Sequence, residues 1–213
     1  MRIFAHRGFH TQGAIENTLP AFEQACQLGV DGIETDLRLS SDGIVVLIHN
    51  RCAPDGTPVS CLTHADLQHR LGYDVPRLEE VLDRVWPICW NLEIKTADVL
   101  AVAIPIIAQS PHRDFLLSSF VHDVCIAAVD ALDFPGAYLA AHRPASDDDL
   151  PQRRHFLDAI VWDYEIASSD LLDRCARLGR TTIVYGATAK SEHIGLLNTE
   201  CSAIITDYPE YLL

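Results

Sequence analysis

No two cysteines in the 213-residue sequence are spaced Cys-x-x-Cys, although there are seven of them: Cys26, Cys52, Cys61, Cys89, Cys125, Cys175 and Cys201. An odd, scattered set of this kind argues against a zinc ribbon, a redox dithiol or a disulfide framework, and reads as reduced, mostly buried thiols. Long apolar runs are missing too. The longest, Val99 to Ala108, is far shorter than the roughly 18 residues of a membrane span and is interrupted by Pro105. A strand-like run begins at Ile3, leaving no room before it for a signal peptide, so the expected location is the cytoplasm. Basic residues are few, 16 Lys and Arg against 30 Asp and Glu, and the resulting net charge of −14 repels nucleic acid and anionic membranes. No internal repeat is visible, and the one low-complexity run, Asp147-Asp148-Asp149, reads as the solvated start of a helix, where negative charge suits the macrodipole.

What is present is an ordinary globular composition, 48% apolar and 22% charged, long enough for one domain that buries roughly 70% of its unfolded surface. Short β-rich runs alternate with helical patterns from end to end. The runs are Ile3 to Ala5, Gly32 to Asp36, Ile88 to Glu93, Phe115 to Ser119, Ala137 to Ala141, Ala159 to Trp162, Thr182 to Tyr185 and Ala203 to Ile205. Between them, apolar residues recur at helical spacing, as in Leu78, Val81, Leu82 and Val85 or Leu171, Leu172, Cys175 and Leu178. Thr18 with Pro20 and Gly29 bracket one helix, and Ser169 with Gly179 another. Strands separated by helices pair in parallel, and eight such units close most economically into a (β/α)₈ barrel. A doubly wound sheet would show a glycine-rich phosphate turn after its first strand; here that turn reads His6-Arg7-Gly8-Phe9-His10.

One segment departs from the alternation. After Asp36 only a turn centred near Ser41-Asp42 separates a second β-rich run, Ile44 to Ile48, which predicts a hairpin with residue 49 returning roughly opposite residue 34. His49 is then expected beside Glu34 and Asp36 at the barrel mouth. A polar, turn-rich stretch from about 50 to 75 reads as a small insertion above the barrel, within a single domain spanning 1–213.

Catalytic groups in such a barrel project from the carboxyl ends of its strands. Glu34 and Asp36, two apart on one strand, share a face, and an inward acidic pair is costly unless a cation neutralises it. Glu93 on the next barrel strand supplies a third carboxylate, and an all-oxygen set selects a hard divalent ion such as Mg²⁺ or Ca²⁺. His6 and His49 add proton transfer near neutral pH, which a phosphodiester needs at both its attacking and departing oxygens. Arg7 and Lys95 are the cations in reach of the phosphate. The other histidines, among them His10, His142 and His193, read as structural or loop residues. Ser118 and Ser119 read as barrel packing or a rim hydrogen bond, and Trp162 as pocket wall or core.

The order of short motifs resembles the glycerophosphodiester phosphodiesterase family: His6-Arg7-Gly8, Glu16-Asn17-Thr18, Glu34-Thr35-Asp36, Ser41-Asp42-Gly43, His49, Glu93-Ile94-Lys95, Ser118-Ser119-Phe120 and Thr206-Asp207-Tyr208-Pro209. That resemblance implies a (β/α)₈ fold and divalent-cation-dependent hydrolysis of small glycerophosphodiesters to an alcohol and glycerol 3-phosphate. It also implies His6 and His49 as the acid/base pair, Glu34, Asp36 and Glu93 as metal ligands, and Arg7 and Lys95 as phosphate contacts. Two positions depart from the family pattern. Asn50 stands where the family has an aspartate after the hairpin histidine, and Tyr185-Gly186-Ala187-Thr188 replaces a Trp-Thr-Val-Asn strand end. The alternatives are a lysophospholipase D-like enzyme and a catalytically silent barrel that binds a phosphorylated ligand.

Overall fold

The computed structural model describes residues 1–213. Nine strands form one sheet: β1 (Arg2–His6), β2 (Gly32–Leu39), β3 (Val45–Leu47), β4 (Cys89–Ile94), β5 (Phe115–Ser119), β6 (Gly136–Ala140), β7 (Leu157–Asp163), β8 (Thr181–Tyr185) and β9 (Ala203–Thr206). Eight of them are parallel, in the order β1-β2-β4-β5-β6-β7-β8-β9, and β9 pairs back onto β1 to close the barrel. The ninth, β3, runs antiparallel along the upper end of β2, where Leu37 faces Leu47 and Leu39 faces Val45. This register sets residue 49 against residue 35, one position from the expected pairing.

Seven α-helices accompany the strands: α1 (Leu19–Leu28), α2 (His64–Leu71), α3 (Leu78–Leu82), α4 (Leu100–Gln109), α5 (His122–Leu132), α6 (Ser169–Arg177) and α7 (Lys190–Leu196). None is long and apolar enough to cross a membrane. The alternation predicts a helix in every crossover, but between β6 and β7 there is only the 3₁₀ turn Asp147–Asp149, in a loop that also contains Pro144 and Pro151. A proline removes a backbone donor and clashes with the preceding helical turn, so this loop does not propagate a helix.

Three local expectations are corrected. Thr18 precedes α1, but its hydroxyl donates to Ile15 O and caps no helix amide, while Gly29 closes the helix at φ 87°. The cap of α6 is Ser168, whose Oγ accepts from Leu171 N, rather than Ser169. Val85 and Leu178 lie beyond the ends of α3 and α6 and are exposed. Trp86 takes the core position instead of Val85, donating from Nε1 to Val81 O and meeting Phe22 and Trp90 edge to face.

Two apolar regions hold the barrel. The larger lies between strands and helices and includes Phe22, Ile33, Leu78, Trp90, Trp162 and Leu172; Trp162 is therefore core. The smaller fills the barrel interior with Phe4, Ala137, Leu139, Val161, Ile183 and Ile205. Gly32 sits beside Phe4 of the neighbouring strand, where a Cβ would come within 2.4 Å of the ring and 2.8 Å of Cys89 O, so no larger residue fits beneath the acids. The 50–75 insertion carries its own small core, in which Val59, Leu62, Leu67 and Val75 pack on Val46 and Ile48. Its apolar residues are thus turned inward.

Candidate functional site

The parallel register stacks the polar residues at the mouth. His6 on β1 is level with Glu34 on β2, Glu34 with Asn91 on β4, Asp36 with Glu93, and Glu93 with Ser118 on β5. Because alternate residues of a strand share a face, Gly32, Glu34 and Asp36 point into the barrel together, as do Cys89, Asn91 and Glu93. A cavity of about 100 Å³ opens there, lined among others by His6, Arg7, Glu34, His49, Glu93 and Lys95. Six of the seven predicted residues therefore line one pocket, and the seventh, Asp36, lies behind them, wholly buried, in contact with Lys95 and Arg7. A larger cavity of about 690 Å³, between the 13–20 loop and the insertion, contains none of the seven.

The loop after β1 is shaped by backbone constraints. Arg7 adopts φ 56° and its amide donates to Glu34 O at 2.8 Å. Gly8 follows at φ 83°, with Ala21 of α1 so near that a Cβ would fall 2.8 Å from its carbonyl carbon. Only glycine fits that conformation and that spacing. The Arg7 side chain then reaches Glu16 Oε2 at 2.9 Å and Asp36 Oδ2 at 3.3 Å.

Glu34, Asp36 and Glu93 are all buried, and each offers a carboxylate oxygen within 4.8 Å of the others. Lys95 Nζ lies 2.6 Å from Asp36 Oδ1 and 2.5 Å from Glu93 Oε1. Burial works to raise the Asp36 carboxyl, but Lys95, Arg7 and a hydrogen bond from Asn17 outweigh it and hold it below the usual range. Glu34 is pushed well above that range by burial and by facing Asp36 and Glu93. Burial also raises Glu93, with Lys95 offsetting part of the rise. Two cations cannot balance three packed acids, and Glu34 Oε1 is buried with no hydrogen-bond partner. An orphaned oxygen in an all-carboxylate set fits a hard divalent cation.

The two histidines differ in their surroundings. His6 Nδ1 is 2.7 Å from Asp207 Oδ1, which leaves Nε2 toward the cavity, 3.8 Å from Glu34 Oε2. His49 Nδ1 lies 3.3 Å from the neutral amide oxygen of Asn50, and Arg38 Nε donates to the His49 carbonyl at 2.9 Å. Burial lowers the His49 imidazole below its ordinary value, with Asp36 opposing.

Several residues with no role assigned from sequence belong to this assembly. Asn17 is buried at φ 57°, donates from Nδ2 to Asp36 Oδ2 at 2.8 Å and accepts from Thr35 Oγ1 at 2.7 Å. Asp207 accepts from His6, and Asn91 accepts from Ser118 Oγ at 2.8 Å while its own Nδ2 is unpartnered. The signal for Asn17 and Asp207 was present, since both sit inside quoted motifs. Ser119 donates to Ile94 O, and His142 is exposed on its loop, so neither joins the cluster.

An eight-stranded parallel barrel with acids, imidazoles and cations gathered at the carboxyl ends of its strands defines a TIM-type barrel with its polar site in the usual place for that fold. The profile of the glycerophosphoryl diester phosphodiesterase family matches residues 6–105, the stretch that holds all seven predicted residues. The chain belongs to that family. YqiK of Bacillus subtilis, an uncharacterized protein, is 51% identical over 98% of this chain and 96% of its own. A glycerophosphodiester phosphodiesterase of Bacillus altitudinis is 36% identical over 45% of this chain. The chain spans about half the length of two other curated relatives, 47% for one from Mycobacterium tuberculosis and 46% for that of Bacillus altitudinis. Among solved structures, an Oleispira antarctica phosphodiesterase in complex with the product sn-glycerol-3-phosphate superposes with a TM-score of 0.86 at 22% identity, covering 99% of this chain and 94% of that one. A glycerophosphodiester phosphodiesterase from Parabacteroides distasonis gives 0.85 at 22% identity, covering 98% and 93%. At that identity the likeness shows the shared barrel.

Proposed function

We propose that the chain hydrolyses small, soluble glycerophosphodiesters to an alcohol and glycerol 3-phosphate, as a single catalytic unit over residues 1–213. The observation that carries this reading is the convergence of His6, His49, Arg7 and Lys95 on one cavity above three buried carboxylates. Glu34, Asp36 and Glu93 would hold Mg²⁺ or Ca²⁺, which when bound supplies positive charge to the oxygens of the reacting phosphate.

Arg7 and Lys95 orient the phosphodiester and bear part of the negative charge that develops on it. His49, kept neutral near pH 7 by its burial, accepts the proton of the attacking hydroxyl at its free ring nitrogen. His6 delivers a proton from Nε2 to the departing alkoxide, while Asp207 holds Nδ1 and provides the negative charge that a protonated ring needs beside it. The free thiols fit a reducing compartment such as the cytoplasm.

Glycerophosphocholine, glycerophosphoethanolamine and a lysophosphatidylcholine, offered side by side, separate the substrate classes. The expected result is turnover of the two soluble diesters with the higher kcat/KM. Preference for the lysolipid would favour the phospholipase D-like reading instead. Carrying the reaction out in ¹⁸O-labelled water distinguishes direct attack, which labels glycerol 3-phosphate, from attack by a substrate hydroxyl, which first gives an unlabelled cyclic phosphate.

A further inference from the structure

His6 is not alone on Asp207. His10 Nε2 lies 3.2 Å from the same carboxylate oxygen that His6 Nδ1 meets at 2.7 Å, so one oxygen accepts from two imidazoles, one at the end of β1 and one in the loop that follows it. His10 is largely buried, does not line the site cavity, and makes no contact with the three acids. The backbone that carries this carboxylate is anchored as well. Thr206 Oγ1 accepts the Tyr208 amide at 2.9 Å and lies 2.6 Å from Nε2 of the wholly buried His193, whose Nδ1 is 2.8 Å from Ala189 O. The backbone on either side of Asp207 is thus tied to α7, and the side chain is gripped by the His10 ring.

We propose that His10 is a positioning residue for the phosphodiesterase reaction: by occupying the second hydrogen bond of Asp207 Oδ1 it fixes that carboxylate, and so holds the His6 Nδ1–H on it in the ring orientation that turns Nε2 to the substrate. This rests on the reading of His6 as the proton donor. A carboxylate with one partner can rotate about its last torsion and share its charge between two oxygens. One held by two N–H groups on a single oxygen keeps that oxygen in place. Partners of this kind orient an imidazole without touching the substrate, and their loss lowers rate through misalignment more than through binding. The presence of the second imidazole also gives the segment Phe9 to Thr18 a direct tie to the last strand, across the seam where the barrel closes.

The test compares His10→Phe, which keeps a ring and removes the donor, with His10→Gln, which replaces the Nε2–H by an amide N–H. For each variant, kcat and KM for glycerophosphocholine are measured together with the His6 ring-nitrogen shifts by ¹⁵N NMR and the thermal unfolding midpoint. In His10→Phe, kcat is expected to fall about 10- to 100-fold with KM within about twofold, and the His6 Nδ1–H signal of the Asp207 hydrogen bond to shift or broaden. His10→Gln is expected to recover most of kcat and the wild-type His6 spectrum. If His10→Phe does not fold, His10→Ala takes its place in the same comparison. Wild-type kcat and an unchanged His6 spectrum in a folded variant lacking the donor would overturn the proposal. His6→Ala serves as the reference: if that variant keeps its activity, the catalytic reading of His6 fails instead, and the two failures are told apart.

Discussion

Lys95 Nζ lies 2.6 Å from Asp36 Oδ1, inside the group of carboxylates rather than above it, and touches Glu93 Oε1 as well. The ammonium is therefore a built-in counterion for two of the three acids, and it occupies oxygens that a divalent ion would share. Replacing it by methionine is expected to tighten divalent-ion binding, because a competing charge is gone, while lowering kcat by about 100-fold through loss of a cation on the phosphate. Calorimetric titration with Mn²⁺ alongside steady-state kinetics reads both. Weaker ion binding in Lys95→Met would show that the ammonium supports the ion rather than competing with it.

The raised Glu34 carboxyl gives the ion-free protein a pH dependence of definite sign. A carboxyl whose folded value is raised binds its proton more tightly when folded, so its contribution to stability is complete below the unfolded value of about 4.3 and is lost as pH rises through the folded one. The chelator-treated protein is expected to lose thermal stability as pH rises above the ordinary carboxyl range. Added Mg²⁺, Ca²⁺ or Mn²⁺ should restore it, with a larger gain in Tm at pH 8 than at pH 5.5, since ion and proton compete for the same oxygens. Equal gains at the two pH values, or no gain with any ion, would count against an ion at Glu34.

His49 and Asn50 set the acid limb of the rate profile. Burial holds the His49 imidazole down, so kcat/KM is expected to fall only below the ordinary histidine value of about 6.5 as pH is lowered. Asn50→Asp places a negative charge 3.3 Å from Nδ1 and should move that limb upward in pH. His49→Ala is expected to lose at least about 100-fold in kcat, whereas His142→Ala, on its exposed loop, should match the wild type. Comparable losses from both would mean that the site lies elsewhere.

Asn17 bridges the loop after β1 to the floor of the site. Removing its amide in Asn17→Ala leaves the buried Asp36 Oδ2 without that donor and Thr35 Oγ1 without its acceptor, which costs about 1–3 kcal/mol, and the φ of 57° disfavours alanine further. Urea denaturation of the variant measures the loss. Asn17→Gly, which relieves the backbone but not the hydrogen bonds, should recover only the smaller part.

Much of this architecture can be read from the chain because strands buried on both faces appear as continuous apolar runs, and the helices between them repeat at their own period. The limits are local. Helical spacing carried the pattern on to Val85 and Leu178, although chain reversal at the ends of α3 and α6 turns both outward and lets Trp86 fill the gap. The hairpin register moved by one residue because Ser40 pairs with Ile44, its Oγ accepting from Ile44 N, which centres the turn on Asp42. The acids and the two mouth histidines were legible from strand ends alone. The contacts of Asp207 with His6 and His10 were not, since they join positions 201 and 197 residues apart and exist only where β9 closes on β1.

The most direct test follows glycerophosphocholine by ³¹P NMR with chelator-stripped protein before and after Mg²⁺, Ca²⁺ or Mn²⁺ is added. No turnover is expected at first, then a growing glycerol 3-phosphate resonance once an ion is supplied, abolished again by excess chelator. A folded sample that yields no product with any of the three ions, or that turns over equally well in chelator, would contradict ion-dependent hydrolysis at this site.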